Sequence, residues 1–154
     1  MYAHPHVPRD DVKLRKADSD DATAISKLIL SLADSVDVSA SGREAFLATF
    51  ETKVIERLIT DNEVNYWLAF EDRQLVGAIG MKPEGHLFHL FVDRGHQSLG
   101  LGKMLVEKGC LGFDRVTVNS APSAIGFYEK LGFMGTGDIE TRNGVSFMPM
   151  LFHR

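Results

Sequence analysis

The sequence is poor in the residues and runs that mark several classes of protein. It has one cysteine among 154 residues, Cys110, so no disulfide can form within the chain, as is usual in a reducing compartment. Its longest apolar stretches are far shorter than the roughly 20 residues that cross a bilayer. The first nine residues lack the basic and apolar regions of a secretory signal. We therefore expect a cytoplasmic protein with no membrane partner.

The charged residues are also not arranged for binding nucleic acid. There are 17 Lys and Arg against 21 Asp and Glu, a net charge of −4, and no basic run. With 44% hydrophobic and 25% charged residues, the composition is that of an ordinary globular protein. We expect a tail at residues 1–10 and a single domain at 11–154. His4 and His6 in that tail are too few to indicate a metal site.

The spacing of apolar residues predicts an α/β protein with one mixed sheet. Alternation predicts strands at about 12–17, 65–70, 75–81, 86–92, 115–118, 133–141 and 145–152, and three- and four-residue spacing predicts helices at about 22–33, 46–58, 101–109 and 122–131. Asn143-Gly144 is a strong hairpin signal between the last two strands. The order is β-α-α-β-β-β-α-β-α-β-β. Three antiparallel strands followed by a strand-helix-strand crossover predict helices on the faces of one sheet.

The most informative segment is the glycine-rich turn Gln97-Ser98-Leu99-Gly100-Leu101-Gly102, between a predicted strand and a predicted helix. Glycines let the backbone approach a ligand closely, and the first N–H groups of a helix bind phosphate. Lys103 adds a positive charge in the first turn, where helix energetics alone disfavour one. This segment therefore predicts a site for a phosphate-bearing ligand.

Two familiar phosphate motifs do not fit the glycine-rich turn. The Walker A pattern fails because Leu101 stands where lysine is required in one register, and Met104 replaces Ser or Thr in the other. The dinucleotide pattern fails because Leu105 stands at the third glycine position. A P-loop nucleotide-binding protein is therefore excluded by spacing.

The turn, written Gln97-x-x-Gly100-x-Gly102, resembles the acetyl-CoA signature Arg/Gln-x-x-Gly-x-Gly/Ala of the GNAT superfamily of N-acetyltransferases. Three further features match in order: the strand ending Leu90-Phe91-Val92, Asn119 at the end of the next strand, and the segment from Ala124 to Phe133 with its Phe127-Tyr128 pair. The order of predicted elements is also similar. The resemblance implies a mostly antiparallel central sheet that splays between its fourth and fifth strands.

The same resemblance implies an enzyme that moves the acetyl group of acetyl-CoA to a primary amine, by direct attack in a ternary complex and without a metal. It gives Val92 a main-chain N–H near the thioester oxygen, Asn119 a hydrogen bond to pantetheine, and Tyr128 a proton for the leaving thiolate. The cofactor-binding residues that it implies are Leu90, Phe91, Val92, Gln97, Ser98, Leu99, Gly100, Leu101, Gly102, Lys103, Asn119, Phe127 and Tyr128.

The general base has several candidates. His86 lies six residues before Val92, so simple alternation puts both on one strand face. By that count His86 matches the position of a catalytic glutamate in some family members and of a histidine in serotonin N-acetyltransferases. A water chain is an equal alternative, and Glu84 is a weaker one. His89 has the opposite parity and is expected to face a helix or solvent.

The acceptor is an amine of a small molecule, a peptide or a protein. In the family, the loop between the first two helices and the last hairpin line the acceptor side, and here they carry Asp34, Asp37, Glu44, Asp138, Glu140, Arg142 and Asn143. That excess of acids would attract a cationic amine. Homodimers are common in the family and are compatible with this chain. The alternative function is a CoA-binding regulatory module that has lost turnover.

Overall fold

The computed structural model describes residues 11–33, 38–97 and 99–154, and its described part is organised by one eight-stranded sheet. The strands are β1 Val12–Lys16, β2 Asn65–Glu71, β3 Gln74–Lys82, β4 His86–Val92, β5 Arg115–Ser120, β6 Met134–Gly135, β7 Glu140–Arg142 and β8 Val145–His153. They follow the order β1-β2-β3-β4-β5-β8-β6, with β7 paired to β8. β4 and β5 are parallel, and the other described pairs are antiparallel. The predicted mixed sheet is confirmed.

Helices cover both faces of this sheet, because the inner strands are apolar on both sides. They are α1 Ala22–Ser31, α2 Arg43–Ala48, α3 Thr52–Thr60, α4 Leu101–Cys110 and α5 Ile125–Lys130. On one face Ile79 of β3 packs with Leu105 of α4. On the other face Ala78 packs in a cluster with Ile25 of α1 and Ile55 of α3. Successive β3 residues therefore belong to different cores, as the alternation of a pleated strand requires.

The second predicted helix is wrong as a single element, because the chain breaks it into α2 and α3. At the break, the Thr49 hydroxyl donates to the Phe46 carbonyl at 2.6 Å. The Ser26 hydroxyl of α1 donates to the Phe50 carbonyl, also at 2.6 Å. Side-chain hydroxyls thus take carbonyls that a continuous helix would use for its own ladder. The break lets the Phe50 ring, 4% exposed, enter the core beneath the helices.

The predicted strand at 133–141 is also wrong as a single element. It is two short strands, β6 and β7, and the residues between them include Thr136, whose N–H and hydroxyl both donate to the Pro149 carbonyl. The whole segment from Met134 to Arg142 is exposed, so no buried face holds it in one straight register. The turn that follows is confirmed: Asn143 and Gly144 have φ of 53° and 82°, as a tight hairpin requires.

The expected tail, residues 1–10, lies outside the described residues. Among the helices of the described part, none is long and apolar enough to cross a membrane.

Candidate active site

The site begins where β4 and β5 separate. The two strands pair at His86 with Thr117 and at Leu87 with Val118, and they have no further pairs. β4 continues to Val92, so its edge facing β5 has no strand partner from Phe88 onward. The expected splay between the fourth and fifth strands is confirmed.

The register of β4 against β3 shows which main-chain groups line this gap. The Asp93 N–H donates to the Val76 carbonyl at 2.8 Å, which makes Val92 and Gly77 a pair without hydrogen bonds between them. The N–H and C=O of Val92 therefore point away from β3 and toward the gap. The alternation of an antiparallel ladder turns the main-chain groups of Leu90 the same way.

A β-bulge at Phe88 changes the face on which the first residues of β4 lie. Gly80 pairs with His89 while the next residue, Met81, pairs with Leu87, so Phe88 is an extra residue. Leu87, Leu90 and Val92 consequently all pack on the α4 side. The prediction that His86 shares a face with Val92 is wrong. The inserted residue turns His86 to the opposite face, which also carries His89.

A cavity of about 650 Å³ lies along this opposite face and the gap. Its walls come from α2, β4, β5 and the β7–β8 hairpin and are mainly aromatic and aliphatic: Phe46, Phe50, Phe88, Phe91, Val145 and Phe147 are among them. Five predicted site residues line it, namely His86, Leu90, Phe91, Asn119 and Tyr128. The structure therefore brings the proposed acid and the proposed base into one space.

The charges of the cavity differ from the expected excess of acids. Among the described residues that line it, the charged side chains are the cations Lys82 and Arg142. Asn143 lines it too, whereas Glu44, Asp138 and Glu140 do not. Asp34 and Asp37 lie outside the described residues. Lys82 holds its ammonium 4.4 Å from the centre of the Phe88 ring.

Tyr128 is placed by packing. Its side chain is 5% exposed, and its ring centre lies 5.1 Å from that of Phe127 and 5.3 Å from that of Phe133. Burial raises the pKa of its hydroxyl above the ordinary value near 10. The phenol is therefore protonated at neutral pH and can serve only as a hydrogen-bond or proton donor to an anion in the cavity.

His86 is held by β5. Its Nδ1 lies 2.8 Å from the Thr117 hydroxyl oxygen, so this ring nitrogen is engaged with the neighbouring strand. Burial, followed by the nearby Lys82 ammonium, lowers the pKa of His86. The ring is therefore neutral at neutral pH, as a base must be. Glu84 is exposed in the preceding turn and does not line the cavity.

The glycine-rich turn lies at the start of α4. Gly100 has φ of 81°, a left-handed conformation that favours glycine, and it is the residue before the first helical turn. Met104 N–H begins the helical ladder by donating to the Gly100 carbonyl, so the preceding N–H groups of α4 have no partner within the helix. Phosphate binding by these N–H groups stays a prediction of the sequence.

The side chains of this turn are mostly engaged with the protein. Gln97 Nε2 donates to the Val92 carbonyl at 2.9 Å, and Leu101 is a buried core residue. A Cβ added at Gly102 would lie 3.2 Å from the Phe127 ring, so this glycine lets α4 pack closely against α5. Lys103 is exposed and Leu99 half-buried, while Ser98 lies outside the described residues.

His96 fastens this turn to the β2–β3 hairpin. Its Nδ1 lies 3.0 Å from Asp93 Oδ2 and its Nε2 lies 2.8 Å from Glu71 Oε1. Both ring nitrogens must donate to satisfy two carboxylates, which requires the protonated ring. Accordingly, the hydrogen bond to Glu71, followed by that to Asp93, raises the pKa of His96.

His89 was not assigned a function from the sequence, and its Nδ1 bonds the Tyr66 hydroxyl from within the cavity wall. The two residues are 23 positions apart, so no local pattern could have revealed the pair.

Comparison with known proteins decides the family. Residues 32–153 match the acetyltransferase (GNAT) domain family. The chain belongs to this family. Over 108 residues it is 34% identical to the peptidyl-lysine N-acetyltransferase YjaB of Salmonella typhimurium, an alignment that covers 66% of this chain and 74% of that protein. The chain spans 39% to 55% of the length of the other curated relatives it matches.

Solved structures of the family have the same fold. A GCN5-related N-acetyltransferase from Rhodopseudomonas palustris superposes with a TM-score of 0.78 at 20% identity, covering 97% of this chain and 99% of the other. The PaiA N-acetyltransferase of Thermoplasma acidophilum, solved in complex with coenzyme A, superposes with a TM-score of 0.69 at 18% identity, covering 93% and 99%. These structures show that the chain has the fold of the family, and the family match together with the curated relatives identifies it as an acyltransferase.

The two hydrogen bonds from His96 to Asp93 and Glu71 predict a pH-dependent contribution to stability. A histidine whose pKa is raised in the folded state contributes stability that is full below its unfolded pKa, about 6.5, and is lost as pH rises through the higher folded value. We expect the unfolding free energy of the wild type to exceed that of His96→Gln most below pH 6.5, with the difference shrinking above it. Urea titrations from pH 5.5 to 9 measure this, and Glu71→Gln should show a smaller pH dependence. If the difference in unfolding free energy between wild type and His96→Gln stayed constant from pH 5.5 to 9, the two hydrogen bonds would not involve a protonated His96 ring.

Proposed function

We propose that this chain transfers the acetyl group of acetyl-CoA to a primary amine by direct attack in a ternary complex. The observation that carries the proposal is the separation of β4 and β5, which leaves main-chain groups of Leu90 and Val92 facing a gap beside the cavity that Tyr128 lines. Such an edge fits the amides of a pantetheine arm, in the way that an extended peptide adds to a sheet.

Acetyl-CoA would be held by the residues that the family signature marks. The N–H groups at the start of α4 would bind the diphosphate, with Lys103 as a nearby cation and Ser98 and Leu99 in the same turn. Gln97 would act indirectly, since its amide fastens the turn to the end of β4. Asn119 would bond the pantetheine arm from the β5 side, and Phe127 would support the turn through Gly102.

The reaction forms one bond and breaks one. The amine nitrogen attacks the thioester carbonyl carbon, and the negative charge on the carbonyl oxygen is met by the Val92 N–H, an interaction worth roughly 3 kcal/mol for one well-placed donor. The tetrahedral intermediate then collapses, the carbon–sulfur bond breaks, and the leaving thiolate takes the Tyr128 hydroxyl proton to give free CoA. Solvent returns a proton to Tyr128.

The proton of the attacking amine would go to His86 and from there to solvent, which restores the neutral ring. The Thr117 hydroxyl can accept from Nδ1–H, which leaves the lone pair of Nε2 available to take the proton. A chain of waters is the alternative base. The acceptor would be a small-molecule amine or an amine of a peptide, and the name of the Salmonella relative makes a lysine side chain one class to test.

Coenzyme binding is the first test. Gly100→Ala would strain the left-handed turn by about 1–2 kcal/mol, so the turn would relax when empty and binding would weaken roughly 5- to 30-fold. Gly126→Ala is the matched control, because a Cβ there meets no atom within 4 Å. Calorimetry with coenzyme A and acetyl-CoA measures both. If well-folded wild type bound neither ligand, the proposal would fail.

Turnover is the second test, read as free thiol released from acetyl-CoA over a panel of amines. Transfer to at least one amine class supports the proposal. Binding of acetyl-CoA with no transfer to any amine would favour the alternative, a regulatory module that senses the coenzyme.

Replacing the proposed acid should separate chemistry from binding. Tyr128→Phe keeps the ring packed against Phe127 and Phe133 and removes the only proton that it can donate. We expect kcat to fall about 10- to 1000-fold while the affinity for coenzyme A changes less than about threefold. Steady-state kinetics and calorimetry on the same preparation give both numbers. An unchanged kcat would remove Tyr128 from the mechanism.

The proposed base should control the acid side of the pH profile. Because a base must be unprotonated and the pKa of His86 is lowered, kcat/KM of the wild type should fall only as pH drops below about 6.5. His86→Gln should lose that decline along with most of its rate, and Thr117→Val should shift the midpoint. Profiles between pH 5 and 9 test this. If His86→Gln keeps the wild-type profile, a water chain is the base.

A further inference from the structure

The proposed mechanism makes no use of His89, although it is a buried titratable side chain in the wall of the cavity. It is 8% exposed, its ring stacks on Phe88 with centres 4.2 Å apart, and it contacts the rings of Phe50 at 5.3 Å and Phe91 at 5.7 Å. An imidazole surrounded by three phenylalanines has few partners for its polar atoms. The one that it has is the Tyr66 hydroxyl, 2.8 Å from Nδ1.

The direction of this hydrogen bond follows from the surroundings of Tyr66. The side chain of Tyr66 is 1% exposed, and burial raises the pKa of its hydroxyl, so the O–H proton is present at neutral pH. Among the described residues, the phenol has no acceptor other than His89. If Nδ1 carried the proton, the phenol O–H would be buried without a partner, at a cost of about 1–3 kcal/mol. Tyr66 therefore donates to Nδ1.

It follows that the proton of the neutral ring is on Nε2. Burial, followed by the Lys82 charge, lowers the pKa of His89 to about 3, so the ring is uncharged at any pH at which the enzyme would work. His89 lines the cavity, and its Nε2 is accessible to solvent rather than sealed within the protein. No described residue bonds Nε2. The wall of the cavity thus presents one fixed N–H donor.

The charged side chains that line the cavity in the described part of the chain, Lys82 and Arg142, are also donors. An N–H donor in an aromatic wall is satisfied by an oxygen of the ligand, and a bare hydrocarbon at that point would leave it without a partner. A site built to bond an oxygen rejects the analogue that lacks it.

We propose that His89, held by Tyr66, is a specificity-determining residue whose Nε2–H donates to a carbonyl or carboxylate oxygen of the acceptor amine. The acceptor class is then an amine that carries such an oxygen, as amino acids, their amides and peptides do, in preference to a simple amine with the same apolar body. Tyr66 is a positioning residue that fixes the tautomer. The inference rests on the proposed function and adds the chemistry of its acceptor.

The test uses pairs of acceptors that differ by the oxygen-bearing group. Phenylalaninamide and phenylalanine are each compared with phenethylamine, and a lysine-containing peptide is compared with cadaverine. We expect the wild type to have the higher kcat/KM on an oxygen-bearing member, and His89→Phe to lower that preference roughly 3- to 30-fold, mainly through KM for the acceptor. The amide and acid arms distinguish a carbonyl from a carboxylate.

Controls separate this role from a structural one. Tyr66→Phe should lower the preference less than His89→Phe does, and both should leave KM for acetyl-CoA unchanged. His153→Phe makes the same exchange at an exposed position outside the cavity and should leave the preference intact. The inference would be overturned, while the proposed function stands, if the wild type showed no preference for the oxygen-bearing amine in any of the pairs. It would also be overturned if that preference survived in His89→Phe. Absence of transfer to every amine would overturn both.

A measurement that needs no substitution of His89 covers the case in which His89→Phe does not fold. Nitrogen-15 NMR of the imidazole rings distinguishes the two neutral tautomers. We expect the His89 ring to carry its proton on Nε2 from pH 5 to 8 and to move to the other tautomer or to a mixture in Tyr66→Phe. A wild-type ring protonated on Nδ1 would overturn the inference.

Discussion

The whole site depends on a parallel strand pair that stops after two residue pairs. Main-chain N–H and C=O groups buried without partners are costly, so folded chains seldom leave a strand edge open inside the molecule. Here β4 runs on to Val92 beyond its two pairs with β5, so this edge has no strand partner, and its Val92 carbonyl accepts from the Gln97 side chain. In the proposed function, the amide groups of a pantetheine arm would pair with this edge.

The second constraint is the single extra residue in β4. If Phe88 were an ordinary residue of the ladder, simple alternation would place His86 on the α4 side with Val92. The bulge instead puts His86 on the face that carries the cavity, where His89 already lies. Two histidines of the same strand then have different surroundings. One is tied to the hydroxyl of a neighbouring strand and the other is enclosed by phenylalanine rings.

The parts of the fold that rest on local pattern could be predicted from the sequence. The glycine turn before α4, the Asn143-Gly144 hairpin and the order of the first five strands each have signals within a few residues. The parts that were missed rest on distant contacts. The break between α2 and α3 involves a hydroxyl from α1. The bulge at Phe88 is a property of the β3–β4 register, and the Tyr66–His89 pair joins strands that are not neighbours in the sheet.

The contact at Gly102 couples two parts of the molecule that the family signature treats as separate motifs. That signature allows alanine at this position. In this chain, however, a methyl group there would lie 3.2 Å from the ring of Phe127, which would have to shift by a few tenths of an ångström. Tyr128 is the next residue, so any such shift would be transmitted to the phenol. In the proposed function, a substitution in the glycine-rich turn that binds the diphosphate would therefore also displace the tyrosine that protonates the leaving thiolate.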